Sequence, residues 1–398
     1  MAGRAEYDII VLGVGAMGTA CCLELARRGE RVLGVERFTI GHALGSSHGE
    51  SRIFRVAYYE HPDYVPLLQR ARKQWLTLQE QAGETLFHPS GGLWIGPPDH
   101  HLIAGTLDTA GRHGLPHEVL DAGSLVSRYP FIRPMPDDVG FFEQDAGTLL
   151  PERAVTAMAR LAREAGAAIL DNTRALHWRE QDDEVIVITD RGEFRAGHLI
   201  LSAGAWSSDV IEPRGSVDEL RDAERRGSSA PGGLALRVSR QPAVWFAMRD
   251  PIRFRPRVTP CWGVARAVDS FYYGFPCVND HGTGKVSLHF AGETCDPETL
   301  PRRVRPDEIA ALKRFLDLTF PGVYGEAVAS SVCLYTNSPD GHFIIDRHPI
   351  HRRVTIACGF SGHGFKFAPV VGEALADLAT RGRTDLPIGF LAAARFRA

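Results

Sequence analysis

A short apolar strand, a Gly-x-Gly-x-x-Gly turn, a helix and a second apolar strand ending in an acid open this chain. That order predicts an α/β domain of the Rossmann-like, dinucleotide-binding kind. A later region of short strand-like segments with frequent Pro and Gly predicts a second, mainly antiparallel domain of α+β type. The length of 398 residues agrees, since one hydrophobic core stops growing beyond roughly 250–300 residues.

The first strand is YDIIVL at 7–12, whose β-branched run suits a buried parallel strand. Gly13, Gly15 and Gly18 follow directly. The first glycine permits the tight turn, the second lets backbone approach a pyrophosphate, and the third lets helix and strand pack closely. The spacing predicts a helix over 19–28 with Gly29 as its stop. The N–H groups at its start would face phosphates. A second strand over 31–36 ends at Glu36, placed to hydrogen-bond a ribose, and Arg37 beside it is a further candidate contact. The motif alone leaves open whether the dinucleotide is FAD or NAD.

A polar loop at 41–51 and a helix around 64–81 come next. Residues 91–142 mix short strands and helices, and 152–166 reads as an Ala-rich helix. Strands at 184–189 and 198–202 follow, the latter running into Gly204, where a missing side chain lets a ligand pass close to backbone. The charged, Gly/Ser/Pro-rich stretch 211–233 reads as a surface insertion. Residues 238–290 are strand-like, 307–318 form an amphipathic helix, and 355–358 form a last buried strand. The loop with Gly359, Gly362 and Gly364 then leads into a helix over 365–380. Such a loop supplies backbone donors that stabilise negative charge. The first domain is therefore expected from 1–90, 148–212 and 325–398, and the second from 91–147 and 213–324.

Composition removes several classes. With 45 Lys+Arg against 48 Asp+Glu, net −3, there is no basic excess for nucleic acid. No apolar run approaches the roughly 20 residues of a membrane span. Seven cysteines with no CxxC pair suit a reducing compartment, so a cytoplasmic protein is expected. His342, Asp346, His348 and His351 lack any HExxH or CxxC framework, so no metal is expected.

Three stretches carry a likeness to a known family: GSSHGESRIFR at 45–55, CLYTNSPD at 333–340 with HFIID at 342–346, and GFSGHGFK at 359–366. With the opening βαβ unit, they resemble the monomeric sarcosine oxidase and N-methyltryptophan oxidase family over nearly the whole chain, the 211–233 stretch excepted. The resemblance implies a monomeric, two-domain flavoprotein of the glutathione-reductase-like superfamily. Its FAD would be held covalently by a cysteine thioether at the flavin 8α position.

Residue by residue, the flavin cysteine corresponds to Cys333. Spacing alone does not separate it from a buried structural cysteine, the reading that the other six keep. The resemblance gives Arg55 and Lys366 the substrate carboxylate, a planar fork beside a point charge. It sets His48 and Arg52 by the flavin ring, although Ser47 stands where a second histidine is usual. His48, Arg52 and Arg55 share one face if their segment is helical. Lys285 corresponds to the site of O2 activation, where a cation stabilises developing negative charge. Strand alternation sets Lys285, Ser287 and His289 on one face. His289, Tyr273 and Tyr335 correspond to residues of the substrate cavity, and the segment from Pro276 to Lys285 is one residue longer than usual.

The implied activity is oxidation of a secondary amino acid, sarcosine or another N-methyl amino acid, to an imine, with O2 reduced to H2O2 and formaldehyde released. The expected partners are thus a small-molecule amine and O2. Oxidation of a cyclic imino acid in a biosynthetic pathway, an O2-excluding flavin dehydrogenase, and a flavin-binding protein without catalysis stay open as alternatives.

Overall fold

The computed structural model describes residues 6–211, 234–267, 270–289 and 292–396. Beyond Ile211, the insertion expected at 211–233 lies outside the described residues. The chain divides into two compact units, Met1–His48 with Glu152–Val238 and Leu334–Ala398, and Gly49–Pro151 with Ser239–Cys333. The sequence reading kept 1–90 in the first domain, whereas the first boundary falls between His48 and Gly49. The reason is a small three-stranded sheet in which Arg52–Phe54 and Phe87–His88 both pair with Gly147–Leu149.

In the first unit, Tyr7–Leu12 is the centre of a parallel array. Val32–Val35 and then Ala168–Leu170 lie on one side, and Gly192–Leu201 and then Val354–Cys358 on the other. Ile344–Arg347 adds antiparallel to Val354–Cys358. A hairpin of Ala175–Gln181 and Glu184–Thr189 extends antiparallel from the early part of Gly192–Leu201. Leu12, Leu33, Leu199 and Ile356 belong to the resulting core. Full burial of each such side chain is worth about 1.5–3 kcal/mol.

The first helix spans Ala16–Arg27, three residues ahead of the predicted start, with Gly18 inside its opening turn. Apart from Glu24 and Arg27, every residue of that helix is buried, the pattern of a helix apolar all round and sunk in a core. Its partner is Ala368–Arg381. A Cβ on Gly372 would stand 2.6 Å from the Ala20 carbonyl carbon, so the two helices cross almost backbone to backbone. Arg28 and the buried Asp377 tie the pair with a 2.8 Å ion pair.

The second unit is built on an eight-stranded sheet in the order Tyr324–Asn337, Arg237–Met248, Thr283–His289, Phe271–Gly274, Cys261–Ala265, Gly92–Gly96, Val139–Glu143 and Glu118–Leu120. Pairing is antiparallel at Arg237–Met248/Thr283–His289 and onwards, except where Cys261–Ala265 runs parallel to Gly92–Gly96. Aromatic rings lie flat on glycines of this sheet. A Cβ on Gly263 would stand 2.2 Å from Phe271 Cζ, and one on Gly274 would stand 2.2 Å from Trp262 Cζ2. Helix Pro306–Thr319 stacks Phe315 on Tyr272 with centroids 3.8 Å apart. Among the described residues, no helix is long and apolar enough to cross a membrane.

One buried histidine makes the first unit's stability depend on pH. His198 bonds Thr355 Oγ1 across paired strands at 2.8 Å. Burial, with Arg347 and Arg353 adding, holds its pKa down at about 4. The unfolded chain takes up this proton below pH ~6.5, so stability is present above that pH and is lost as pH falls through the folded value. The expected loss is about 3 kcal/mol between pH ~6.5 and pH ~4. Denaturant titration of wild type and His198→Gln should show that slope in wild type and a shallower one in the variant. Equal slopes would remove His198 from the account.

Candidate active site

The first unit sets out a ligand edge by topology. The turns after four neighbouring parallel strands are the Gly13 turn after Tyr7–Leu12, Glu36 after Val32–Val35, Gly204 after Gly192–Leu201 and Gly359 after Val354–Cys358. The carboxyl ends of parallel strands are where such sheets bind ligands. Gly13 has φ 88°, and a Cβ there would meet Ser202 O at 2.6 Å. A Cβ on Gly18 would stand 2.0 Å from Gly13 O, while Gly15 faces nothing nearer than Ser47 Oγ at 3.7 Å. The turn is thus sealed against side chains on its protein side and open at Gly15, with no acid in the first helical turn to repel a phosphate.

Glu36 is buried and accepts Val14 N–H at Oε2 (2.8 Å) and Phe38 N–H at Oε1 (3.0 Å). Held in this way, the carboxylate keeps lone pairs for a further donor. The Arg37 guanidinium lies 5.0 Å from the Phe38 ring centroid and 5.8 Å from that of Trp206, a cation–π arrangement on the same edge. These residues fit a dinucleotide cofactor.

The Gly359 loop carries three left-handed residues, Gly359, Ser361 and Gly362. A Cβ on Gly362 would stand 2.2 Å from the Tyr335 ring, so this glycine and Tyr335 are matched to one another. Ser361 closes the loop, its N–H on Thr336 O (2.9 Å) and its Oγ taking Ser338 N–H (3.2 Å). Gly364 lies under the Phe360 ring, and Lys366 is buried with its Nζ donating to His363 O at 2.7 Å. The helix predicted from 365 begins as a tight 3₁₀ turn, Phe365–Phe367. His48 is buried at the end of the first unit's opening segment.

The second unit holds the other expected residues. The condition for His48, Arg52 and Arg55 to share a helical face is not met, because Gly49 and Glu50 are both left-handed (φ 94° and 66°) and Arg52–Phe54 is a strand. Two residues in that region turn the chain sharply, so Arg52 and Arg55 go to different neighbours. The tight 49–51 turn aims two carbonyls at Lys285. The buried Lys285 Nζ donates to Gly49 O (2.7 Å) and Ser51 O (2.5 Å), 4.5 Å from the Phe275 ring. Arg52 donates to Ser51 O and, through Nη2, to Cys333 Sγ at 3.5 Å. Burial pushes the Cys22 and Cys358 thiols up to about 12 and raises those of Cys21, Cys261, Cys277 and Cys295.

On the Thr283–His289 strand, Lys285 lies opposite Trp245, and Ser287 lies opposite both Ala243 and Tyr273. His289 lies opposite Phe271, which sets Lys285, His289 and Tyr273 on one sheet face. Arg55 is buried and held by Glu60 at 2.5 Å, with Tyr58 and Tyr59 rings 4.1 and 4.7 Å from its Cζ. Burial works against its charge, but Glu60 and the two tyrosines outweigh it and raise the pKa.

Sequence reasoning missed Glu50, Glu60, Trp245 and Asn279. Glu50 Oε2 accepts Trp245 Nε1–H and its Oε1 accepts Asn279 Nδ2–H, both at 2.8 Å. An acid after a glycine carries no sequence signal of partners 195 and 229 residues away. Among the described residues, no group of three or more His, Cys, Asp or Glu side chains could hold a metal.

The first unit carries the dinucleotide edge of a cofactor-dependent oxidoreductase, and the second holds a buried lysine, Lys285, and a buried cysteine, Cys333, with the half-buried Arg52 donating to the cysteine sulfur and to the Ser51 carbonyl that Lys285 also uses. The chain belongs to the FAD dependent oxidoreductase (DAO) family, whose pattern matches residues 8–378. It is 39% identical over 388 residues to the monomeric sarcosine oxidase of Streptomyces avermitilis, with 96% of each chain covered. It is 35% identical over 382 residues to the N-methyl-L-tryptophan oxidase of Salmonella enteritidis, again covering 96% of each. Among solved structures, NikD, an unusual amino acid oxidase essential for nikkomycin biosynthesis, superposes with a TM-score of 0.82 at 26% identity over 97% of each chain.

Glu50 holds a non-glycine residue in left-handed backbone and thereby the turn that grips Lys285. Glu50→Ala removes two hydrogen bonds to a charged acceptor and should cost about 2–3 kcal/mol. Chemical denaturation measures this. A loss below about 0.5 kcal/mol would show that the turn holds itself.

Proposed function

We propose that this protein is an FAD-dependent oxidase of secondary amino acids, acting on sarcosine or another N-methyl amino acid as a cytoplasmic monomer, with its FAD joined covalently to Cys333. The observation that carries the reading is the cluster around the 49–51 turn: a buried ammonium, Lys285, gripped by two carbonyls, and Arg52 donating to the Cys333 sulfur. The likeness to sarcosine and N-methyl-L-tryptophan oxidases over 96% of the chain supports it.

Bound FAD would supply the two-electron acceptor that takes hydride equivalents from the amine and passes them to O2. The Gly13–Gly18 turn, Glu36, Arg37, Gly204 and the Gly359–Gly364 loop would hold it, with His48 and Arg52 placed for the flavin ring. Arg55 binds the carboxylate and so fixes which carbon beside the nitrogen is presented, and Lys366 is the second cation proposed for that group. Tyr273, His289 and Tyr335 shape the space for the side chain. Lys285 stabilises the negative charge that develops as O2 is reduced, an electrostatic role that needs no proton transfer. The amine loses two electrons and two protons, O2 takes both to become H2O2, and water hydrolyses the methylene imine to formaldehyde and the demethylated amino acid.

The test is peroxide and formaldehyde release from the FAD-loaded protein across N-methyl and cyclic amino acids. Peroxide from none of them would overturn the reading. Lys285→Met should slow reoxidation by O2 about 10²–10³-fold while substrate reduces the flavin within a few-fold of the wild-type rate. Stopped-flow measurement of both half-reactions separates the two, and an unchanged oxygen rate would remove Lys285 from its role. After acid precipitation, flavin should stay with wild-type protein and leave Cys333→Ala. Flavin that stays with the variant would assign the attachment elsewhere.

A further inference from the structure

Glu143 is a buried carboxylate that the proposed reaction does not use. It ends the Val139–Glu143 strand opposite Gly92, which in turn lies opposite Cys261. Its Oε1 accepts two successive backbone donors of the loop after Arg55, Val56 N–H at 2.6 Å and Ala57 N–H at 3.1 Å. Its Oε2 is fully buried and has no hydrogen-bond partner among the described residues. The other end of the Ala57 residue is held as well, because Arg55 Nη1 donates to Ala57 O at 3.3 Å. One residue thus joins Glu143 to the arginine proposed to bind the substrate's carboxylate.

The charges of this cluster do not balance once a substrate arrives. Arg55 already has Glu60 at 2.5 Å. A substrate carboxylate is a second anion on the same guanidinium, and an ionised Glu143 would be a third in the same buried region. Two like charges desolvated together raise one another's proton affinity. We propose that Glu143 is a positioning residue whose charge is removed when substrate binds: arrival of a carboxylate at Arg55 is accompanied by transfer of one proton from a solvent or buffer acid to Glu143, forming an O–H bond at Oε2. The proton leaves again when the carboxylate departs. This rests on the reading of Arg55 as the carboxylate-binding cation.

The surroundings of Glu143 suit such a role. Burial raises its pKa to about 7, against the lowering by the Val56 and Ala57 N–H groups and Arg55, and Asp145 adds to the rise. Asp145 is paired with Arg72 at 2.8 Å. The Cys261 thiol on the same sheet face is raised by burial and by Glu143, so it stays neutral. Below that pH the proton is already present and binding needs no uptake. Above it, each unit of pH adds up to tenfold to the dissociation constant of a carboxylate.

Acetate, a carboxylate with no amine to oxidise, is the probe, titrated into the holoenzyme by flavin absorbance from about pH 6 to about pH 9. Wild type should lose at least about tenfold in affinity over that range, and Glu143→Gln should bind with a nearly flat profile. A flat wild-type profile, or the same slope in Glu143→Gln, overturns the proposal. Arg55→Gln should abolish acetate binding. Wild-type affinity in that variant would instead overturn the reading of Arg55 itself. A measurement on wild type alone stands beside these. Difference infrared spectra at about pH 8 should gain the C=O stretch of a protonated carboxylic acid when acetate binds, and its absence overturns the proton uptake.

Discussion

The contact between Gly18 and Gly13 O governs the first unit. Because a methyl group at 18 would stand 2.0 Å from that oxygen, the first helix can begin directly against the end of the first strand only if residue 18 has no side chain. Parallel pairing brings Glu36 and the loops after Leu201 and Cys358 to one edge of the array, and this closeness seats the helix start at that same edge. The almost backbone-to-backbone crossing at Gly372 and Ala20 repeats the device one layer out. Small residues here are selected by distance, not by flexibility.

The second unit solves a different problem, the burial of several charges with few formal partners. Lys285 is held by carbonyl dipoles, Arg55 by a carboxylate and two rings, and Oε1 of Glu143 by two backbone N–H groups. A buried charge left without compensation costs several kcal/mol (about 3–5 when a partner is removed), so these arrangements weigh on the unit's stability.

Local pattern in the sequence made the first unit's central strands, its glycine turn and the Gly359 loop legible, because each rests on residues close together in the chain. The residues matched to the family were named by motif, and the structure adds the partners of Arg52, Arg55, Lys285 and Lys366. Glu50, Glu60, Trp245 and Asn279 were not legible. Their roles arise from pairings such as Glu50 with Trp245 that only the folded sheet creates. The boundary at His48 was missed for a related reason, since Arg52–Phe54 has no strand-like length and is strand only by virtue of Gly147–Leu149. The helical spacing of His48, Arg52 and Arg55 has no counterpart in the structure, because two consecutive left-handed residues leave no trace in side-chain periodicity.

The order of segments has a consequence for how the chain is made. The second unit has all of its residues once Cys333 has been synthesised, whereas the first still lacks Val354–Cys358 and Ala368–Arg381. On a ribosome, the later-numbered unit can therefore be complete before the earlier one, whose first helix waits for the helix that Gly372 fits against Ala20. The nucleotide edge, which opens the sequence, is the last part of the molecule to gain its full set of strands.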